Sequence, residues 1–109
     1  MICEAWDIVV VPFPFTDRAA QKKRPALIVS RKEFNRYGQT IMAMVTSSSL
    51  SWPSDCPLGD LASAGLSAPC VVRMKLFTLD NRLIVRRIGK LGGEDQERVG
   101  SALKSILAV

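Results

Sequence analysis

The chain has 109 residues, which fits one compact domain over 1–109 and leaves no room for a second. With 48% hydrophobic and 23% charged residues it can build a core and is not a disordered tail. The formal charge of +5 admits an anionic partner without requiring one; histidine is absent and the three cysteines show no C-x-x-C spacing, so a metal site and a disulfide framework drop out, leaving reduced thiols.

"MICEAWDIVV" has no basic n-region, and no apolar run approaches the ~18 residues of a membrane helix, so a cytoplasmic protein without membrane contact is expected. "DIVVVPF" (7–13) is a β-branched run that reads as a buried strand, stopped by Pro12 and Pro14. "TDRAAQKK" (16–23) reads as a loop. "PALIVS" (25–30) is a second strand with Pro25 as its first residue, where a missing N–H is tolerated. "RKEFNRYG" has room for one helical turn before Gly38, and "TIMAMVTSS" (40–48) is a third strand. Residues 49–69, rich in Ser, Pro, Gly and Asp, mostly connect, with a short strand around Cys56–Leu58. "CVVRMKLFTLD" (70–80) is a fourth strand or a bent pair; "RLIVRRIGKL" (82–91) fits a strand or a short helix. After Gly92 and Gly93, Val99, Ala102, Leu103, Ile106 and Leu107 mark one helix face, read as core packing. Glu94, Asp95 and Glu97 suit its first turn and Lys104 its end. Short strands and one closing amphipathic helix predict a mainly β domain, a small bent sheet or barrel.

Charge is unevenly distributed. Arg18 to Arg36 holds seven basic residues against Glu33, and Arg73 to Lys90 holds six against Asp80. These two blocks form a candidate phosphate-binding face; the plainer reading is solvated strand edges. No Walker loop, G-x-S-x-G or H-E-x-x-H is present. What remains is Arg, Lys, Thr and Ser near strand ends, groups suited to binding phosphate and stabilising the charge that develops on it. Arg24 fits best, because a guanidinium is a rigid, permanently charged fork and Pro25 stiffens the backbone behind it.

In order along the chain, "WDIVVVPFPFTD", "KKRPALIVS", "MVTSS", "CVVRMKLFTLD" and "LIVRRIGKL" resemble the PemK/MazF family of toxins from type II toxin–antitoxin operons. The resemblance implies an SH3-like barrel with short helices, of the fold shared by CcdB, PemK and MazF. It implies a homodimeric, metal- and cofactor-independent endoribonuclease that cuts single-stranded RNA at specific sequences and is neutralised by an antitoxin, expected to be acidic. Arg24 stands at the family's catalytic arginine and Thr46 at its catalytic threonine. Arg73 matches an arginine that some members use in cleavage. Phe15, Thr16 and Asp17 lie in the loop that covers the RNA groove in relatives. Lys22, Lys23, Ser47 and Lys75 complete the expected RNA-binding set. Trp6 stands where most members have Gly, a difference read as one of packing. The loop "RAAQKKR" lacks the acid or His of some members, and Lys75 replaces an Asp that others use. The general base is therefore open: Asp17, or charge stabilisation by Arg24 and Thr46 alone.

Two other readings are compatible with such a barrel. A CcdB-like gyrase inhibitor would act through a tryptophan near its C-terminus, whereas the tryptophans here are Trp6 and Trp52. A non-catalytic SH3-like module would bind nucleic acid or protein without cutting. The recognised RNA sequence depends on loop shape around 15–23 and 49–69, which no motif encodes.

Overall fold

The computed structural model describes residues 1–13 and 22–109. Phe15, Thr16 and Asp17 lie outside the described residues. Six strands form one curled sheet in the order β4-β5-β3-β2-β1-β6, a half-barrel with short helices at its margins. They are β1 (Asp7–Pro12), β2 (Lys23–Ile28), β3 (Gln39–Thr46), β4 (Cys56–Pro57), β5 (Val71–Asp80) and β6 (Arg86–Lys90). Helices α1 (Lys32–Asn35), α2 (Leu61–Ala64) and α3 (Gly93–Ile106) and a 3-10 turn at Asn81–Leu83 fill the connections and the C-terminal end. All strand pairs are antiparallel. The ambiguous stretch 82–91 is therefore mostly the 3-10 turn followed by β6, whose partner is β1.

Strand alternation sends side chains to two layers. On one face Val9, Val11, Phe13, Ala26, Ile28, Met42 and Phe77 pack with Cys3 and Ile84. On the other, Ile8, Leu27, Ala43, Val45 and Val72 pack with Leu91 and with Val99 of α3. The helix stripe is only half used as core. Val99 is buried, but Ile106 and Leu107 are each 43% exposed, because the last turn runs beyond the sheet. Asp95 sits in the first turn, as expected, and there it is buried and accepts the N–H groups of Gly59 and Asp60.

Two local features correct the sequence reading. Pro25 is the third residue of β2, opposite Val10, and the strand begins at Lys23. Trp6 sits at φ 75°, in the left-handed region that glycine enters freely. A family preference for Gly there reflects backbone conformation first and packing second. Helix α2 was not anticipated; Asp60 caps it and Gly65, at φ 74°, ends it. A Cβ on Gly65 would fall 2.0 Å from the Ile88 carbonyl oxygen, so glycine is what lets α2 lie against β6.

A buried polar hub joins the start of the chain, α1 and the 3-10 turn. The Asn35 amide donates to the Cys3 and Ser30 carbonyls, the Ser30 hydroxyl donates to Asn35 Oδ1, and Asn81 donates to the Asn35 carbonyl at 2.7 Å.

Candidate active site at the open end of β2 and β3

The sheet brings Arg24 and Thr46 to one place. β2 and β3 pair through Ala26–Met44, and the same register carried two residues further sets Arg24 opposite Thr46. Directly opposed residues share a face. Pairing toward β3 stops at Ala26, while pairing toward β1 continues through Arg24–Val11 to Lys23–Pro12. Pro25 has no N–H to donate, so the β3 side of β2 is left open just where Arg24 and Thr46 meet. The proline that follows the arginine thus opens the sheet locally as well as stiffening it.

Arg24 is half-buried, with its guanidinium 5.9 Å from the centroid of the Phe13 ring. Phe13 is braced edge-on by Phe77 at 5.6 Å. Such a contact orients the fork at a gain of about 0.5–1 kcal/mol. Arg24 Nε is buried and meets no acceptor among the described residues. Buried donors almost always find an acceptor, so one left over on a cation is a specific invitation to an anion. Thr46 is 9% exposed; its hydroxyl oxygen accepts the Ser48 N–H at 3.1 Å, which leaves the hydroxyl proton free to be donated elsewhere. Thr46, Ser47 and Ser48 line a cavity of about 270 Å³ together with Pro57, Leu58, Pro69, Cys70 and Val71. Lys22 and Lys23 are exposed beside Arg24.

Arg73 and Lys75 reach the same face from β5: Met44 pairs with Arg73, and Met74 and Leu76 between and beyond them pack into the opposite layer. Arg73 is not a free cation. It is 5% exposed, donates to both Asp55 oxygens at 3.1 and 3.0 Å, and gives a further bond to the Leu50 carbonyl. The Arg73 guanidinium holds the Asp55 carboxyl below the usual carboxylate range, helped by the Trp52 N–H. The Trp52 ring lies 5.4 Å from both the Arg73 guanidinium and the Lys75 ammonium. Phe13, Trp52 and Asp55 were missed in the sequence. "WPSD" has the look of an Asx-type turn, but only the fold shows that Arg73 closes on it.

The two basic blocks do not make one face. Arg31, Lys32 and Arg36 follow β2 at the end away from Arg24. Arg82 is paired with Asp80, and Arg87 and Lys90 are paired with Asp7. Among the described residues, the cations toward the open end include Lys22, Lys23, Arg24, Arg73 and Lys75. Among the described residues no cluster of His, Cys, Asp and Glu suits a metal ion, and no helix is long and apolar enough to cross a membrane.

The model of the PemK-like, MazF-like toxins of type II toxin–antitoxin systems matches residues 4–107. No curated protein sequence matches the chain. Among solved structures, the MazE–MazF complex of Deinococcus radiodurans (form III) superposes with a TM-score of 0.79 at 21% identity, over 100% of this chain and 99% of that one. A mycobacterial endoribonuclease in complex with its cognate antitoxin gives 0.77 at 16% identity, over 98% and 96%. The Mycobacterium tuberculosis toxin MazF-mt6 gives 0.71 at 24% identity, over 91% and 93%. At these identities the superpositions establish the fold, and the family match over nearly the whole chain establishes the rest: this protein belongs to the PemK-like, MazF-like toxins of type II toxin–antitoxin systems.

Proposed function

We propose that this toxin is an endoribonuclease that cuts single-stranded RNA at the open end of β2 and β3. The carrying observation is the buried Nε of Arg24, which meets no acceptor among the described residues and lies in register with Thr46 when the Ala26–Met44 pairing is extended by two residues. The ribose 2′-oxygen attacks the adjacent phosphorus, the P–O5′ bond breaks, and the proton lost at the 2′-oxygen is regained at the 5′-oxygen. The products are a 2′,3′-cyclic phosphate and a 5′-hydroxyl. Arg24 binds the non-bridging oxygens and stabilises the pentacoordinate dianion; Thr46 donates to the same group. Each contact is worth about 2–4 kcal/mol in the transition state. Asp55 is a poor base, since Arg73 occupies both of its oxygens. Arg73 acts as a positioning residue that fixes the 50–55 loop, and Lys22, Lys23, Ser47 and Lys75 hold the RNA strand. The chemistry needs the 2′-hydroxyl and no metal, and belongs to the cytoplasm.

Incubation with single-stranded RNA in EDTA is the test. Discrete cuts ending in cyclic phosphate, absent with the 2′-deoxy analogue, are expected. Cutting lost in EDTA and restored by Mg²⁺ would overturn the mechanism, and folded protein that never cuts would leave the non-catalytic binding module.

The partners follow from the surface. Met1, Ile2, Phe34, Tyr37, Leu83 and Val85 are all exposed, and the Asn35 hub ties their three segments together. Such a patch suits a second copy of the chain. Light scattering should give a dimer mass, and Tyr37→Lys with Leu83→Lys a monomer. An acidic antitoxin segment would compete with RNA for the open end, with affinity that falls as salt rises.

A further inference from the structure

Trp52 is held with unusual care for a residue that is 41% exposed. Its N–H donates to Asp55 Oδ2 at 3.0 Å, and its carbonyl accepts the Asp55 N–H at 3.2 Å, closing a tight turn that places Ser54 at φ 65°. Asp55 is in turn fixed by two bonds from the buried Arg73. The ring is fixed separately, by the Arg73 and Lys75 cations at 5.4 Å. Both cations rise from the same face of β5, and with them in place 41% of the residue stays exposed as its outer surface. Fixing a large exposed ring costs conformational entropy, and exposing it forgoes burial. A packing role explains neither expense; a ligand for the outer surface explains both.

The ligand's chemistry is set by the surroundings. Arg73 stands opposite Met44, two residues along β3 from Thr46, and β5 is two strands from β2. At ~3.3 Å per residue and ~4.8 Å per strand, this sets Arg73 roughly 12 Å from Arg24 along the sheet. A flat aromatic surface at that range from a phosphate-binding arginine, flanked by Lys75, is the arrangement that binds single-stranded nucleic acid by stacking a base while cations follow the backbone.

We infer that Trp52 is a stacking platform for one base of the RNA strand whose phosphate is held by Arg24 and Thr46. The inference rests on the ribonuclease reading and adds a residue that binds substrate away from the reacting atoms. It predicts a contribution to affinity that tolerates any base and leaves the chemical step alone.

The chain has two tryptophans, so Trp6→Phe makes Trp52 the sole indole reporter. In an Arg24→Ala, Trp6→Phe background, single-stranded oligoadenylate should quench the Trp52 emission, and duplex RNA should not. In active protein, Trp52→Ala should raise KM roughly five- to a hundred-fold with kcat nearly unchanged, and Trp52→Phe should restore most of the loss. Undiminished cleavage and RNA affinity in Trp52→Ala, with a silent emission, would overturn the platform while leaving the ribonuclease standing. Wild-type protein that neither binds nor cuts RNA would overturn both. Quenching by an acidic antitoxin segment but not by RNA would reassign the ring to a protein contact and overturn the platform.

Discussion

The two ends of the β1–β2 pair carry cations under opposite conditions. At one end Asp7, 3% exposed, takes bonds from Arg87 at 2.9 Å, Lys90 at 3.2 Å and the Glu4 N–H at 2.9 Å. There Asp7, Arg87 and Lys90 answer one another within the chain. At the other end Arg24 keeps a buried donor without an acceptor among the described residues. A closed set of ion pairs holds strands together and asks for nothing further. An orphaned donor costs about 1–3 kcal/mol in the free protein and is retained only where something else supplies the acceptor. Cations at the two ends therefore do two different jobs.

Arg24→Ala should separate the ends most sharply. Cleavage should fall by about 10³-fold, since a donor set on developing negative charge is removed. Stability should stay within ~1 kcal/mol, because the variant also removes an unsatisfied buried group. Cleavage assays with parallel thermal melts check both, and undiminished cutting by the folded variant would take Arg24 out of the mechanism. Thr46→Val should cost about 10²-fold in kcat by removing one donor, and Thr46→Ser should recover most of it.

Asp7→Ala should show the converse. It removes the acceptor that closes the opposite end, and stability should drop by about 2–3 kcal/mol, with the specific activity of the folded fraction unchanged. Urea titration checks it; a large loss of kcat in folded Asp7→Ala would mean that the two ends are coupled.

Acid should act on the same contrast more gently. Burial alone would raise the Asp7 carboxyl, but the Glu4 N–H, Arg87 and Lys90 outweigh it and bring it below its ordinary 3.8. Asp55 is lowered by Arg73. A carboxylate depressed in the folded state stabilises fully above its unfolded value, and the contribution is lost as pH falls through the folded value. Melting temperature should therefore hold steady from neutral pH to about 5 and fall below about 4. Asp7→Asn should start lower and fall less over the same range.

What was legible in the sequence follows from how local each signal is. β1, β2 and β3 announce themselves through β-branched runs, and Arg24-Pro25 is one dipeptide. The 82–91 stretch was ambiguous because "RLIVRRIGKL" satisfies both periods, and only pairing with β1 decides it. α2 has four residues, too few to show a helical period, although Asp60 and Gly65 mark its ends. The ion pair between Arg73 and Asp55 and the lodging of Trp52 depend on contacts across the sheet. The two basic blocks read as one face because sequence records which charges are near in the chain and not which acids they meet.

The smallest expected effect concerns Trp6, at the closed end. Its backbone is fully engaged, the N–H donating to the Ile28 carbonyl and the carbonyl accepting from Leu91, both at 2.8 Å. The left-handed conformation is therefore imposed by the sheet and would persist in Trp6→Gly. Glycine relieves roughly 1–2 kcal/mol of steric cost. Against this, it gives back up to ~1 kcal/mol of backbone entropy and loses the partly buried indole, which packs on the helix-side layer close to Gly100. A fully buried tryptophan would cost about 3–5 kcal/mol to truncate, and this one is only half-buried. The terms partly cancel and leave a net loss of roughly 1–2 kcal/mol, so Trp6→Gly should melt several degrees below wild type and cut RNA normally. Trp6→Ala loses the same ring without the relief and should be the less stable of the two by about 1 kcal/mol. If the order of the two variants were reversed, the φ of 75° would not be a strain on the native chain, and Trp6 would be a packing residue alone.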